Sequence, residues 1–298
     1  MYRYPGFMQL DVESLRTFAA VLDQGTMTAA GESLGMSQSA VSWKIKRLEE
    51  RVGRDLLVRE GRSLSPTRDG RELLAYAHTI VDAHDEAVAR LSSSELVGTV
   101  RLGTTEEASA KCTNEVCGRF NRIHPNAILD FHVDRSARLE AMIDRNQLDV
   151  AVIQLLPHQV KARDVVLWHD ELTWVSSAEW TYDEGEVPII TFGEDGFYRP
   201  LAEAGLKEAG IKSRIGFSGP STASVLSAVR AGIGVGLLSN NSIINTGDDI
   251  IEWPRAVELG DPPTVVNVAR VSKGATSDVA AALVADLRAE LGEVPANG

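Results

Sequence analysis

Short helical patterns closed by glycines constrain the N-terminal part of this 298-residue chain more than any other feature. Apolar residues recur at helical spacing from Val12 onward, and Asp11 precedes them as a good N-cap. Gly25 closes this first helix. A second helix is predicted over Thr28–Leu34, and Gly35 closes it. The glycines therefore divide the region into short helices joined by tight turns.

A third, longer helix is predicted from its cap, Ser37, to Gly53. One face is apolar, and the opposite face carries short hydroxyl, amide and lysine side chains that suit the major groove of DNA. The candidate DNA contacts on it are Ser37, Gln38, Ser39, Ser42, Trp43 and Lys46. An ordinary solvated helix face is the alternative. The helix and glycine turn ahead of it favour DNA binding.

A β-hairpin is predicted directly after this helix. Leu56–Glu60 has the pattern of a strand, Gly61-Arg62 that of a tight turn, and Ser63–Ser65 that of a return strand. Arg59 and Arg62 lie where such a hairpin would meet the DNA backbone or minor groove. Three helices followed by a hairpin predict a winged helix-turn-helix that binds double-stranded operator DNA.

Several short motifs follow one another in fixed order between Leu15 and Gly70. They are L-R-x-F, G-T-x-T-A-A, S-Q-S-A-V-S, I-x-x-L-E, V-G and L-L-x-R-x-G-R. This ordered block closely resembles the LysR-type transcriptional regulators, which implies a DNA-binding regulator. The chain departs from the family at Trp43, usually polar or basic, at Gly31, usually Ala, and at Pro66, usually Leu. We expect Trp43 to change the DNA sequence that is read and to leave the binding mode intact.

The formal net charge of -12 argues at first against nucleic acid as a partner. The charge is unevenly distributed, however. Residues 1–66 contain nine basic and eight acidic residues, and the rest of the chain contains twenty-one basic and thirty-four acidic ones. The acidity therefore belongs to a second domain and not to the predicted DNA-binding domain.

A long helix is predicted from Arg68 to about Leu91, followed by a hinge over residues 92–98. Apolar positions in it alternate by three and four residues, the pattern of a coiled-coil seam. The seam consists of Leu74, Ala77, Val81, His84, Val88 and Leu91. We expect this helix to form a homodimer, which would match a two-fold operator. The family resemblance implies that a homotetramer on DNA is also common.

After the hinge, strands and helices alternate as βαβαβ and then repeat, which predicts parallel sheets covered by helices. The fold class is α/β overall, with an all-α winged N-terminal domain. Two lobes with two chain crossings, near Ile153-Gln154 and Pro263–Asn267, resemble the effector-binding domain of LysR-type regulators and the periplasmic binding proteins. The expected domains are residues 8–67, 68–97 and 98–298, with lobe I at 98–154 and 266–298 and lobe II at 155–265.

Ligands of such sheets bind beyond the carboxyl ends of the strands, where helix N-termini point inward. By family position the candidate effector contacts are Thr104, Thr105, Ser136, Gln154 and Thr222. Hydroxyls and free N–H groups favour a small organic acid as the effector, whereas Glu106, Glu194 and Asp195 argue against an anion. These three could bind a cationic group or act as dipole partners in the first helical turn. Ordinary helix caps and turns are the alternative for each position.

No nucleotide-binding loop, zinc-protease motif or nucleophile elbow is found in the sequence, so we expect no enzyme, no metal and no cofactor. Cys112 and Cys117 form no metal motif, and a reduced pair in a cytoplasmic core is expected. Two alternatives to an effector-controlled regulator remain open. The chain could be a constitutive repressor with an empty cleft, or a thiol redox sensor that uses the two cysteines.

The N-terminus lacks the apolar core of a signal peptide, and no apolar run approaches the roughly 18 residues needed to span a membrane. We therefore expect a cytoplasmic protein with no membrane partner. Its expected partners are operator DNA, a small-molecule effector, a second copy of the chain and RNA polymerase.

Overall fold

The structure is a computed structural model that describes residues 9–61, 63–92, 95–181, 185–193, 196–244 and 246–292. The predictions for Arg62, Glu194 and Asp195 fall on residues outside the described ones. The chain divides into two compact units, residues 1–94 and residues 95–298.

The first unit is a helical domain with a small hairpin. It contains α1 (Val12–Gln24), α2 (Met27–Leu34), α3 (Gln38–Val52), β1 (Leu57–Glu60), β2 (Ser63–Pro66) and α4 (Arg68–Ser92). Each of the first three helices begins at a side-chain oxygen that accepts a backbone N–H and ends at a glycine in the left-handed conformation. These caps are Asp11, Thr26 and Ser37, and the closing glycines are Gly25, Gly35 and Gly53.

The core of this unit lies where α1, α3 and α4 meet. It includes Leu15, Phe18, Val21, Val41, Ile45, Leu48, Leu56, Ala77 and Val81, all buried. Since the apolar stripe of α3 faces this core, its polar face is left toward solvent.

The second unit holds two five-stranded sheets. The first sheet contains β3 (Gly98–Thr104), β4 (Ala127–Val133), β5 (Val150–Leu155), β6 (Val165–Asp170) and β12 (Val265–Val271). The second contains β7 (Leu172–Ser177), β8 (Val187–Phe192), β9 (Ser213–Gly219), β10 (Val235–Ser239) and β11 (Ile250–Glu252). The helices are α5 (Glu106–Lys111), α6 (Gly118–Ile123), α7 (Ser136–Asp144), α8 (Tyr198–Glu208), α9 (Thr222–Arg230), α10 (Asn240–Ile243) and α11 (Asp278–Leu291).

The strand order is β4-β3-β5-β12-β6 in the first sheet and β11-β7-β10-β8-β9 in the second. Strands β4, β3 and β5 run parallel, as do β9, β8 and β10. The remaining strands pair antiparallel. The predicted α/β class is confirmed, with mixed sheets in place of purely parallel ones.

The chain leaves the first sheet later than the sequence predicted. Residues 155–170 were expected in lobe II, but Val165–Asp170 forms the edge strand β6 of the first sheet, paired with β12. The chain enters the second sheet at Leu172, the start of β7. The sequence pattern missed both strands because they join end to end at Glu171 with no glycine or proline turn between them.

An ion cluster is buried in the first lobe. Arg270 on β12 is 1% exposed, and its guanidinium donates to both carboxylate oxygens of Asp164, at 2.8 and 2.5 Å, and to Glu140. The Arg270 hydrogen bonds hold the pKa of the Asp164 carboxyl below its usual range, although burial opposes this. The cluster joins β12, α7 and the segment before β6, and so fixes the side of the lobe that supports α7.

Candidate functional site

The polar face of α3 is exposed along its N-terminal half. The Ser37 hydroxyl caps the helix by accepting the Ala40 N–H at 3.2 Å and lies 3.0 Å from the Ser39 hydroxyl. Gln38 and Ser39 are exposed and Ser42 is half-buried. One side of α3 therefore presents short polar side chains, and the opposite side of the helix packs in the core.

Trp43 projects from the same face and is 57% exposed, with the Arg47 guanidinium 5.0 Å above its ring. More than half of the Trp43 side chain is therefore open to solvent. Lys46 is exposed one turn after Ser42. Trp43, Lys46 and Arg47 therefore give this face a flat aromatic surface and positive charge.

Other cations of α3 have partners within the unit. Lys44 pairs with Glu13 at 2.8 Å, and Arg51 pairs with Asp11. Among the described residues, no ion pair involves Lys46 or Arg47. The positive charge that remains free on α3 is thus on the same side as Gln38 and Ser39.

The hairpin predicted as a wing is present. Strands β1 and β2 pair antiparallel, with Arg59 opposite Leu64, and Gly61 at the turn has φ +65°. The Leu64 N–H donates to the Gly25 carbonyl at 2.9 Å and ties the hairpin to the end of α1. Arg59 is exposed. The wing is therefore fixed against the helix-turn-helix.

Helix α4 uses part of its predicted seam to pack on its own chain. Ala77 is fully buried and Val81 is 9% exposed, both in the core formed with α1. The prediction that these two residues form a dimer contact is wrong, because α1 already covers them. Leu74 is half-buried, whereas Val88 and Leu91 are 51% and 89% exposed.

One ion pair and one histidine contact hold α4 against α1. The Arg16 guanidinium donates to the Asp85 carboxylate at 2.6 Å and lowers the pKa of that carboxyl to about 2. His78 lies 3.6 Å from Asp23. His84, predicted in the seam, is exposed, and its Nδ1 lies 3.2 Å from Asp85. A different stripe of α4 is apolar and exposed; it consists of Tyr76, Ile80, Ala83, Ala87 and Leu91.

A cleft of about 610 Å³ opens between the two sheets of the second unit. Its first-lobe wall comes from the ends of β3, β4 and β5, and its second-lobe wall from the ends of β8 and β9. These strands end on the side where an open α/β sheet binds its ligands. The volume is typical of a small-molecule site.

Three of the five predicted effector contacts line this cleft: Thr105, Ser136 and Gln154. The Ser136 hydroxyl accepts the Gln154 backbone N–H at 3.1 Å, and the Thr105 hydroxyl caps α5. Thr104 is fully buried behind the wall and does not line the cleft, and neither does Thr222. Thr104 therefore stays a prediction: it does not line the cleft, and its buried hydroxyl has no hydrogen-bond partner among the described residues.

Gln154 connects the two lobes at the floor of the cleft. It is 3% exposed, and its Oε1 accepts a hydrogen bond from the Tyr198 hydroxyl at 2.8 Å. Its Nε2 has no hydrogen-bond partner among the described residues. Burial raises the pKa of Tyr198, so its hydroxyl stays protonated as the donor. Gln154 therefore offers an unused donor at the cleft floor.

Two charged residues of the cleft were not predicted from the sequence. Glu107 lines the cleft, and burial raises the pKa of its carboxyl above the usual range. Arg135 precedes α7 and lies over Gly193, where an added Cβ would come within 2.7 Å of both terminal guanidinium nitrogens. Their positions in the loops after β3 and β4 were the available signal, but charged residues are common in such loops.

The two cysteines lie five residues apart on a π-helical segment, Cys112–Cys117, between α5 and α6. Five residues nearly complete a turn of a π-helix, so the pair shares one face, contrary to the expectation for an α-helix. Both thiols are free and buried. Burial raises the pKa of Cys112 to about 12 and that of Cys117 to about 11, which makes both poor nucleophiles.

No helix among the described residues is long and apolar enough to cross a membrane. Within the same residues, no cluster of three or more His, Cys, Asp or Glu side chains could hold a metal ion.

Both units match models of known families. The model described as "Bacterial regulatory helix-turn-helix protein, lysR family" matches residues 12–71, and the model described as "LysR substrate binding domain" matches residues 93–292. The chain belongs to the LysR family of transcription regulators. The chain is therefore a DNA-binding transcription regulator with a LysR substrate binding domain.

Curated relatives agree with this assignment. The chain is 32% identical over 233 residues to the HTH-type transcriptional regulator PecT of Dickeya dadantii, covering 76% of this chain and 72% of PecT. It is 27% identical over 236 residues to the regulator DgdR of Burkholderia cepacia, covering 78% of this chain and 79% of DgdR. These relatives are named as transcription regulators and not as enzymes.

Solved structures share the fold. Full-length BenM matches with a TM-score of 0.52 and 18% identity, covering 97% of this chain and all of BenM. DarR of Vibrio fischeri in complex with DNA matches with a TM-score of 0.50 and 16% identity, covering 94% of this chain and 98% of DarR.

Proposed function

We propose that α3 reads the bases of a two-fold operator while Lys46, Arg47 and Arg59 bind its phosphates. The observation that carries this proposal is the exposed row of Gln38, Ser39 and Trp43 on a helix whose opposite face is buried. An amide pairs with adenine, and an aromatic face packs on a thymine methyl or a sugar. Cations bind phosphates without regard to sequence. We include Ser37, Ser42 and Arg62 in the same surface by their positions in the sequence.

A selection of bound DNA from a randomised pool, at a stated salt concentration, tests these roles. Gln38→Ala should change the preferred base at one position of each half-site, at a cost of about 1–3 kcal/mol for the original base. Lys46→Ala should keep the same motif, weaken binding to every sequence and reduce the salt slope by about 1. Arg90→Ala, an exposed cation in the last turn of α4, is the matched control.

These roles would be contradicted by an unchanged motif for Gln38→Ala together with an altered motif for Lys46→Ala. Equal loss for Lys46→Ala and Arg90→Ala would show that net charge, and not the α3 surface, determines affinity.

The second part of the proposal is that the chain acts as a homodimer joined through α4. The exposed stripe of Tyr76, Ile80, Ala83, Ala87 and Leu91 replaces the predicted contact of Ala77 and Val81. Its spacing of four, three, four and four residues keeps it on one side of the helix. Two copies would present two α3 helices to a two-fold site, and association of dimers would give a tetramer.

The third part is that a small molecule in the interlobe cleft controls DNA binding by changing the angle between the lobes. Coupling of this kind is typically about 1–3 kcal/mol. The cleft of about 610 Å³ favours effector control over a constitutive repressor. The thiols of Cys112 and Cys117 are buried and weakly acidic, which argues against a redox sensor. The regulator would act in the bacterial cytoplasm, beside RNA polymerase at its promoters.

A further inference from the structure

The carboxyl group of Glu107 lines the cleft wall. Burial raises the pKa of this carboxyl most strongly, and the nearby carboxylates of Glu106 and Asp170 raise it further. Only its own backbone N–H and the Thr105 hydroxyl lower it. Among the described residues, no Lys, Arg or His forms an ion pair with Glu107. Desolvation without a counter-charge disfavours an ionised carboxyl, so a purely structural role would favour a neutral side chain here.

The guanidinium of Arg135 is the opposite charge in the same cleft. It has no carboxylate partner among the described residues, although Asp134 accepts its backbone N–H at 2.8 Å. The neighbouring cation of the wall, Arg138, lies 3.6 Å from Asp134. Among the residues that the structure describes, the side-chain donors of Arg135 have no hydrogen-bond partner. A guanidinium binds a carboxylate with two parallel hydrogen bonds.

A second place where an anion would bind is already filled by the protein. The backbone N–H of Thr222, at the start of α9, donates to Oε2 of Glu106 at 3.0 Å. Glu106 belongs to the first lobe and Thr222 to the second, so this hydrogen bond crosses between the lobes. The start of α9 is therefore occupied, whereas Arg135 has no carboxylate partner among the described residues.

Two neutral features complete the lining. The unpartnered Nε2 of Gln154 supplies a donor at the floor, in a side chain that is almost fully buried. Phe197 stacks on Tyr198 with ring centroids 4.6 Å apart, and both line the second-lobe wall with Phe192. An apolar body would pack against these rings.

We propose that the effector is a small amphoteric molecule whose carboxylate binds Arg135 and whose protonated amine binds Glu107. Its apolar part packs on Phe197, and Gln154 donates to one of its oxygens. This inference rests on the proposed effector control of the cleft and narrows its chemistry. It departs from the simple organic acid expected from the sequence, because the Glu107 carboxyl can bind an amine and Glu106 occupies the start of α9.

The test uses the full chain and matched sets of compounds. Each proteinogenic amino acid is compared with its deaminated acid, which lacks the amine, and with its decarboxylated amine, which lacks the acid. Thermal shift finds the sets that stabilise the protein, and calorimetry measures affinities for wild type, Glu107→Gln and Arg135→Gln. Glu115→Gln and Arg145→Gln, exposed and outside the cleft, are the controls.

We expect at least one amino acid to bind roughly tenfold or more tightly than both of its matched compounds, as one charge-assisted hydrogen-bonded pair provides. Glu107→Gln should weaken the binding of that amino acid and leave the affinity for its matched acid unchanged. Arg135→Gln should weaken the binding of both the amino acid and the acid and leave the affinity for the amine unchanged. The two control variants should bind as wild type does.

If an acid binds as tightly as its amino acid and Glu107→Gln has no effect on either affinity, the proposal of an amphoteric effector is rejected. Control of DNA binding by an effector is not contradicted by that result. Absence of stabilisation by every amino acid in the panel also rejects the inference. Stabilisation that neither cleft variant reduces would reject the cleft as the effector site. DNA binding by the same preparations is measured separately. Loss of sequence-specific DNA binding would contradict the proposed DNA-reading function, whereas retained binding would limit the failure to the proposed effector.

Discussion

Glu106 and Glu107 are adjacent in the sequence, yet their carboxylates have different surroundings. Successive residues of a helix point about 100° apart, since one turn takes 3.6 residues. Glu106 consequently reaches across to the Thr222 N–H, whereas Glu107 faces the interior of the cleft. The Glu106 carboxylate joins the lobes, and the Glu107 carboxyl lines the cleft.

The raised pKa of Glu107 predicts how stability depends on pH at this residue. The folded state disfavours the charged carboxylate, so stability is fully present below the ordinary pKa and falls as pH rises through the raised one. Replacing Glu107 by Gln removes this loss. Glu107→Gln should therefore raise the melting temperature of the ligand-free protein, and the increase should be larger at pH 7 than at pH 4.

Thermal unfolding of wild type, Glu107→Gln and Glu115→Gln across this pH range measures the difference directly. Other titrating groups are common to all three proteins, so they cancel in the comparison. A lower melting temperature for Glu107→Gln at pH 7 would show that the carboxylate has a stabilising partner and would contradict its proposed state.

For individual cleft residues, the sequence predicted uncharged polar positions better than charged ones. Gln154, Ser136 and Thr105 line the cleft as expected, because the carboxyl ends of parallel strands meet at one edge. Glu107 and Arg135 were missed. Whether a charged loop residue keeps a free charge depends on which neighbours tertiary packing brings to it, and spacing in the sequence does not contain that information.

Helix α4 shows the same limit for a whole element. The heptad pattern correctly identifies an apolar stripe, but such a stripe packs equally well on a neighbouring helix of the same chain. The structure places Ala77 and Val81 against α1, and the exposed stripe begins instead at Tyr76. Apolar periodicity therefore predicted the helix and its buried side, and not the partner that covers it.

Disruption of the exposed stripe tests the dimer proposed for α4. Ile80→Asp combined with Leu91→Asp places two charges on the stripe without touching the core with α1. We expect sedimentation to show monomers at concentrations where wild type is dimeric, with helix content unchanged. Val257→Asp, at a residue 87% exposed in the second unit, is the control. A dimer that persists in the double variant would place the interface elsewhere.

The junction of the wing and α4 depends on one glycine. A Cβ added at Gly70 would lie 2.0 Å from the Leu56 carbonyl oxygen and 3.3 Å from Pro66. The same carbonyl accepts the Thr67 N–H at 3.0 Å and so cannot move away freely. The first turn of α4 therefore requires a residue without a side chain at this contact.

Gly70→Ala should destabilise the first unit by about 1–3 kcal/mol or more, because overpacking against backbone cannot relax through a rotamer change. Gly118→Ala is the matched control, since its added Cβ meets its nearest atoms at 3.5 Å in a helix. That variant should be neutral or more stable by about 0.4–1 kcal/mol. Thermal unfolding followed by circular dichroism compares the two, and equal stability would show that the wing shifts at no cost.

For the whole molecule, the order of helices, wing, linker and α/β lobes was predictable because each has its own periodicity and turn residues. The point at which the chain changes sheets was not predictable. Strands β6 and β7 follow one another with no turn signal, and each joins a different sheet through antiparallel pairing decided by distant partners. Long-range pairing of this kind leaves no local trace in the sequence.

In the proposed function, two α3 helices of one dimer read a two-fold DNA site. Selection of genomic fragments by the purified full chain, at a stated salt concentration, tests this mode of DNA binding. We predict an inverted repeat whose half-sites are centred about one helical turn, or a multiple of it, apart. Uniform, steeply salt-dependent binding without a motif would contradict the claim and would mean that the protein contacts phosphates alone.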